Sequence, residues 1–249
     1  MKVYWLTQNL AEVPPDDDWL SPNERAVLDT LRFPKRRAEW RLGRWTAKRV
    51  IFLVATTPGG WLSEFMSSIL NNAPQGGGAT NEYFSQIEIR AATDGAPEAF
   101  VNAEPLPILL SISHRNEIGF CVINPFGSTV GCDLEMIEPR SDDFVADYFT
   151  PEEQQRLAQA PKQDRHWLAT LIWSAKESAL KALRQGLRLD TRRVIVDLDM
   201  NGKNKDWKFL SVRQTEVSRT FHGWWRIDGK FVQTIVAEPS MPPPITLSI

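Results

Sequence analysis

An α+β protein of two similar halves is the fold class that the sequence predicts, and three observations lead to it. At 249 residues, 42% of them hydrophobic, the chain has the length of one large domain or two small ones. A helix-rich stretch followed by a strand-rich one occurs twice, once before about Asn124 and once after it. Each half also carries the same helix-start signature, a hydroxyl residue, then Pro, with Glu three residues after the hydroxyl: Ser21-Pro22-Asn23-Glu24 and Thr150-Pro151-Glu152-Glu153. The expected division is residues 1–124, residues 125–238 and a Pro-rich tail over residues 239–249. A ligand cleft is expected between the halves, because pockets form preferentially at domain interfaces.

Taken in order, Ser21 caps a first helix. From Phe33 to Ala55, the residues Ala38, Leu42, Trp45 and Phe52 recur at helical spacing and make one apolar face. Residues Thr56 to Asn81 enclose a short amphipathic piece, Trp61 to Leu70, between Pro58-Gly59-Gly60 and a Gly-rich run ending at Gly78, and they read as a surface insertion. The triple glycine lacks the Gly-Lys-Ser/Thr ending of a phosphate loop and is assigned no chemistry. Strands are expected at Tyr83–Ala91, Ile108–Ser113, Ile118–Ile123 and Thr129–Glu135, with a turn at Asn124-Pro125-Phe126-Gly127. A helix opens at Thr150, a longer one runs from about Asp164 to Leu183, and it stops near Gly186. Strands follow at Arg193–Met200, Trp207–Arg213, Gly223–Ile227 and Phe231–Ala237. The tail, with Pro239, Pro242, Pro243 and Pro244, reads as extended and poorly packed.

The formal charge of −2, from 29 basic and 31 acidic residues, argues against bulk attraction to nucleic acid or to an anionic membrane. Two cysteines, Cys121 and Cys132, are too few for a disulfide framework or a cysteine zinc site. No apolar run approaches the ~20 residues that span a bilayer, and the first residues lack the apolar core of a signal peptide. A cytoplasmic protein is expected, with neither nucleic acid nor membrane as partner. The near-zero total conceals local blocks. Residues 31–50 hold eight bases and one acid, residues 131–153 eight acids and one base, and residues 162–193 eight bases and three acids. Such blocks are usually solvated faces. Within the first of them, however, Arg37, Arg41, Arg44 and Lys48 form one helical stripe, and like charges at that spacing repel unless an anion compensates them.

Three constellations could carry chemistry. In Gly131-Cys132-Asp133-Leu134-Glu135 both carboxylates fall on one face of a strand, ~7 Å apart, where they either share a hard cation or simply line a wet sheet face. In Trp173-Ser174-Ala175-Lys176-Glu177-Ser178-Ala179-Leu180-Lys181, Glu177 and Lys181 make a surface ion pair by spacing alone. The alternative is that Glu177 completes an all-oxygen magnesium site and Lys181 meets a phosphate. Ser113-His114 ends an apolar strand at a sheet edge, where a His is either satisfied by a carbonyl or functional.

Together and in this order, these motifs resemble the 4′-phosphopantetheinyl transferases of the surfactin-synthetase-activating (Sfp) type. The matching pieces are Ser21-Pro22-x-Glu24-Arg25, Arg37-x-Glu39-x-x-x-Gly43-Arg44, Ser113-His114 and Gly131-x-Asp133-x-Glu135, then Trp173-Ser174-x-Lys176-Glu177-Ser178-x-x-Lys181 followed by Gly186-Leu187. The resemblance runs from about residue 21 to 190 and leaves out the Gly-rich insertion and the tail. It implies two α+β halves related by a pseudo-twofold axis with coenzyme A between them. It further implies that Asp133, Glu135 and Glu177 hold Mg²⁺ and that Arg37, Arg44, Ser113, His114 and Lys181 contact the coenzyme's phosphates. The implied reaction moves phosphopantetheine to a serine hydroxyl of an apo acyl- or peptidyl-carrier protein and releases adenosine 3′,5′-bisphosphate. Glu177, or a metal-bound water beside it, is the candidate base, Lys181 the group that stabilises the leaving group, and a monomer is expected. Where family members often have Gly-Lys-Pro, this chain has Gly95-Ala96-Pro97, and Arg115, following His114, is expected to replace part of the missing cation. Two competing readings are a catalytically inactive homologue that binds coenzyme A or a carrier protein, and a nucleotide-binding module using only the basic helix.

Overall fold

The computed structural model describes residues 2–57, 61–69, 81–124, 129–199 and 206–247. Two compact units divide the chain, Lys2–Gly127 with Ile245–Ile249, and Ser128–Pro244. Among the described residues, no helix is long and apolar enough to cross a membrane.

In the first unit the order is β1 (Tyr4–Asn9), α1 (Pro22–Thr30), α2 (Pro34–Ala55), α3 (Trp61–Ile69), α4 (Asn81–Gln86), β2 (Ile87–Ala91), β3 (Pro97–Val101), β4 (Glu104–Pro105), β5 (Leu109–Arg115) and β6 (Ile118–Asn124). Strands β1, β6 and β5 pair antiparallel in that order, and β2, β3 and β4 form a separate sheet. Helix α1 begins where a reciprocal capping box predicts it: Ser21 Oγ accepts from the Glu24 amide at 3.1 Å, and the Glu24 carboxylate accepts from the Ser21 amide at 2.9 Å. Helix α2 buries Leu42 and Trp45 of the expected apolar stripe, whereas Ala38 and Phe52 are only half-buried and Val50, Ile51 and Val54 supply the rest of the buried face.

Three expectations are corrected here. The stretch from Tyr83 is helical until Gln86, and a strand begins only at Ile87. In a strand, neighbours Tyr83 and Phe84 would point to opposite faces, whereas one helical turn sends both rings into the core against Phe52, at 5.2 and 5.7 Å. Strands β1, β3 and β4 were not anticipated, because their short runs carry little alternation. The tail is not poorly packed: Met241 is buried, and Ile245–Thr246 adds a parallel strand to β1, with the Ile245 amide donating to Val3 O at 2.8 Å. The expected Pro125-Phe126-Gly127 turn and the Gly-rich run over residues 70–80 lie outside the described residues.

In the second unit the order is β7 (Thr129–Met136), α5 (Asp142–Tyr148), α6 (Pro151–Gln159), α7 (Arg165–Ala182), β8 (Val194–Leu198), β9 (Lys208–Gln214), β10 (Arg219–Asp228) and β11 (Phe231–Glu238). These strands form one antiparallel sheet ordered β7-β11-β10-β9-β8. Thr150 and Glu153 make the second reciprocal capping box at the start of α6. Helix α7 packs Leu171, Ile172, Ala175, Ala179 and Leu180 into the core. Gly131 sets its approach to β7, since a Cβ there would stand 1.9 Å from the Ser178 carbonyl oxygen.

Each unit is locked by a buried ion pair. Lys48 and Glu24 lie 2.5 Å apart, and Lys48 Nζ also donates to Trp19 O and Phe84 O, both at 2.9 Å. Lys176 and Glu153 lie 2.8 Å apart, and Lys176 Nζ also donates to Thr191 O and Val194 O. The second oxygen of each Glu accepts a strand amide, Ile89 for Glu24 and Val196 for Glu153, each at 2.9 Å. The capping glutamate thus satisfies a helix start, a lysine and a strand at once, which is what makes two buried charges tolerable.

Candidate functional site

Strand β7 and helix α7 bring the acidic constellation together inside the second unit. Asp133 and Glu135, two residues apart, share the face of the sheet that α7 covers. Lys181 Nζ reaches from α7 to Asp133 Oδ1 at 2.8 Å and to Cys132 O at 3.0 Å. Asp133 is 4% exposed while Lys181 is only half-buried, so the carboxylate is desolvated and its lysine partner is not wholly so. Glu177, one turn before Lys181, is half-buried on α7. Its carboxyl is pushed up to about 7, first by burial and then by the negative field of Asp133, with Glu135 adding to the rise and Lys181 opposing it. For Lys181, burial is the largest single influence and would lower the ammonium, but the charge and hydrogen bond of Asp133 together with Cys132 and Glu177 leave the net shift upward. The surface ion pair between Glu177 and Lys181 that spacing alone suggests is therefore not the arrangement adopted, since the bonded carboxylate is that of Asp133.

Glu135 has its own cation. Arg140, in the loop after β7, places Nη2 3.2 Å from Glu135 Oε2, has Glu138 at 3.7 Å, and lies with its guanidinium 5.0 Å from the Phe144 ring centre. Arg140 was missed in the sequence as a site residue. Its signal was that it is the one base within the acidic block of residues 131–153.

Three carboxylates, two of them adding to the rise that burial imposes on the third, are chemically a donor set for a hard cation, whose charge would offset both the burial and the repulsion. The donor chemistry fits magnesium. Among the described residues, however, no three His, Cys, Asp or Glu side chains already converge as a formed metal cage.

Residues 129–226 match the family model of the 4′-phosphopantetheinyl transferase superfamily. That span holds the whole acidic set. The chain is also 24% identical over 170 residues to HetI, a 4′-phosphopantetheinyl transferase of Nostoc sp. (strain PCC 7120), a match covering 68% of this chain and 61% of that protein. It is 25% identical over 136 residues to slr0495 of Synechocystis sp. (strain PCC 6803), which bears the same enzyme name provisionally, covering 51% of this chain and 54% of that one. The chain thus spans between half and two thirds of the length of these relatives.

The remaining predicted residues belong to the first unit. Arg37 donates through Nη1 to the carbonyls of Leu28 and Leu31, closing the end of α1. Arg44 lies with its guanidinium 4.3 Å from the Trp40 ring centre, and burial lowers its pKa. Arg41 is held by Pro14 O, Asp16 O and Asp17. Lys48 is fully buried, so the four-cation stripe of the sequence is not a ligand face as a whole. Its last member belongs to the core. Ser113 and His114 sit near the end of the edge strand β5, Ser113 buried and His114 half-buried.

Proposed function

We propose that the protein is a magnesium-dependent phosphopantetheinyl transferase of the Sfp type. It would move the 4′-phosphopantetheine of coenzyme A to a serine hydroxyl of an acyl- or peptidyl-carrier protein and release adenosine 3′,5′-bisphosphate. The observation that carries this reading is the β7–α7 acidic set, in which Glu177 titrates near 7 beside Asp133, Glu135 and Lys181, within the span that matches the superfamily. Asp133, Glu135 and Glu177 would hold the magnesium ion, whose positive charge would offset the charge developing on the transferred phosphoryl group.

Every other step falls to the chain's own groups. Glu177, or a water beside it, is the candidate to take the proton of the attacking serine hydroxyl, a role that needs the carboxylate form. Lys181 carries a charge reinforced by Asp133 and can stabilise the oxygen of the departing bisphosphate as the bond from phosphorus to that oxygen breaks. In this reading Arg37, Arg44, Ser113 and His114 serve the coenzyme's phosphates, and the enzyme works as a cytoplasmic monomer.

The test is to incubate the protein with Mg²⁺, coenzyme A and an apo carrier protein and to weigh the carrier. A gain of one phosphopantetheinyl group that disappears in Glu177→Ala supports the reading. Coenzyme A binding with no gain on fatty-acid, polyketide or peptide carriers would replace it with the inactive binding homologue. An active Glu177→Ala enzyme would remove Glu177 from the site.

A further inference from the structure

Beneath the acidic set lies a buried hydroxyl ladder that no step above uses. Ser174 Oγ and Ser178 Oγ, both on α7, lie 2.9 and 2.7 Å from Thr234 Oγ1 on β11, and Ser178 Oγ is also 3.2 Å from Thr234 O. All three side chains are fully buried. One arrangement of protons satisfies every group: Ser178 donates to the Thr234 carbonyl, Thr234 donates to Ser178 Oγ, and Ser174 donates to Thr234 Oγ1.

The register makes this ladder more than packing. Thr234 is the direct antiparallel partner of Asp133, Val232 of Glu135 and Val236 of Gly131, so the side chains of Thr234, Asp133 and Glu135 share one sheet face. On the helix, Ser174, Ser178 and Lys181 are spaced i, i+4 and i+7 and form one stripe toward that face. Glu177 flanks it. The ladder therefore ties the element that carries Glu177 and Lys181 to the strand alongside Asp133 and Glu135, at the point where Gly131 lets helix and strand approach.

We propose that Ser174, Ser178 and Thr234 are positioning residues that fix the spacing between the α7 and β7 carboxylates and so set the magnesium affinity of the site. This inference rests on the metal role proposed above. Two carboxylates from one strand and one from a helix bind a small octahedral ion tightly only when the two elements are held in register. Hydrogen bonds that anchor ligand-bearing elements are commonly worth ~10 to 100-fold in metal affinity.

Titration of the full-length protein with MgCl₂ by calorimetry tests this in wild type, Thr234→Val, Thr234→Ser and Ser178→Ala, alongside thermal melts. Thr234→Val keeps the volume and removes the hydroxyl, and we expect a loss of Mg²⁺ affinity of about tenfold. Thr234→Ser keeps the hydroxyl and removes a methyl group, and it should lose melting temperature while staying within about threefold of wild-type affinity. Ser178→Ala, which favours the helix, should reproduce the loss even if Thr234→Val does not fold. Wild-type affinity in both hydroxyl-free variants, or an equal loss in Thr234→Ser, would overturn the positioning role. A wild type that binds no Mg²⁺ would overturn both the metal reading and this one. A wild type that binds Mg²⁺ but transfers nothing would overturn transfer alone, leaving the ladder to be judged by its variants.

Discussion

The two units share a core device and differ one residue away from it. In each, the glutamate of a capping box reaches a fully buried lysine on the next long helix and a strand amide beyond it. The residue after the lysine is Arg49 in one unit and Glu177 in the other, and five residues after it stand Leu53 and Lys181. Arg49 lies with its guanidinium 5.7 Å from the Trp45 ring centre, and burial lowers its pKa. Glu177 instead lies in the electrostatic field of two carboxylates and a lysine. The first strands differ as well: β1 carries no charged residue, while β7 carries Asp133 and Glu135. A buried ion pair can thus specify the same helix-to-strand attachment twice, while neighbouring positions on the same elements are free to take on different chemistry.

The strongest way to break the comparison is to remove either buried lysine. Lys48→Met and Lys176→Met each strand a buried glutamate, which typically costs about 3 to 5 kcal/mol. At roughly 2 to 4 °C per kcal/mol for a chain of this size, either variant should melt about 6 to 20 °C lower. Similar drops in differential scanning calorimetry would confirm that the two devices are equivalent. A large drop for only one would show that they are not.

The close-approach glycines sharpen it next. A Cβ at Gly131 would meet the Ser178 carbonyl at 1.9 Å, a backbone atom, so α7 must move. At Gly119, on β6 under α2, the nearest atoms are the side-chain Thr46 Oγ1 at 2.4 Å and Leu42 Cγ at 3.0 Å, which can adjust. Gly131→Ala should therefore destabilise by about 1 to 3 kcal/mol and abolish Mg²⁺ binding, while Gly119→Ala should lose less stability and leave Mg²⁺ binding intact. Thermal melts with calorimetric Mg²⁺ titration distinguish the two.

What could be read in the sequence was local. The capping boxes at Ser21 and Thr150 and the Asp133–Glu135 alternation depend on residues within a few positions of one another, and the structure places each where the spacing does, whereas of the stripe expected on α2 only Leu42 and Trp45 are buried. Lys48 was misassigned to a ligand stripe because its partner Glu24 lies on another element, and helical spacing alone cannot separate a buried lysine from an exposed one. The same limit hid the Lys181 to Asp133 bond, which the Glu177–Lys181 spacing obscured. Thr234 gave no signal at all, since only the β7–β11 register brings it opposite Asp133.

Acidity offers a third contrast. Glu177 rises from its ordinary 4.5 to about 7, so the native state holds that proton more tightly than the unfolded chain. The stability it confers is complete below about pH 4.5 and is lost as pH rises through 7, on the order of 1 to 3 kcal/mol for this half-buried group. Glu177→Gln should remove that slope. It would melt higher than wild type at pH 8 and near it at pH 4.5, and added Mg²⁺ should raise only the wild-type melting temperature. Arg49→Gln, at the corresponding position of the other unit, should leave the slope between pH 4.5 and 7 unchanged, because an arginine does not titrate there. An equal slope in Glu177→Gln would mean that another group is responsible for the pH dependence.

The smallest effect tests whether the first unit supplies phosphate contacts to match the acids of the second. Gly95-Ala96-Pro97 lacks the lysine expected before the Ser113-His114 strand, and Arg115 stands at the end of that strand, two residues beyond Ser113. If Arg115 replaces part of that cation, Arg115→Ala should raise KM for coenzyme A about fivefold with kcat kept. That pattern belongs to a contact made equally in the bound and transition states, about 1 kcal/mol of uniform binding. A fall in kcat with KM unchanged would place Arg115 nearer the reacting phosphoryl group than its strand-end position suggests. Steady-state kinetics with the coenzyme varied against saturating carrier separates the two, and an unchanged KM and kcat together would leave Ala96 without a substitute cation at Arg115.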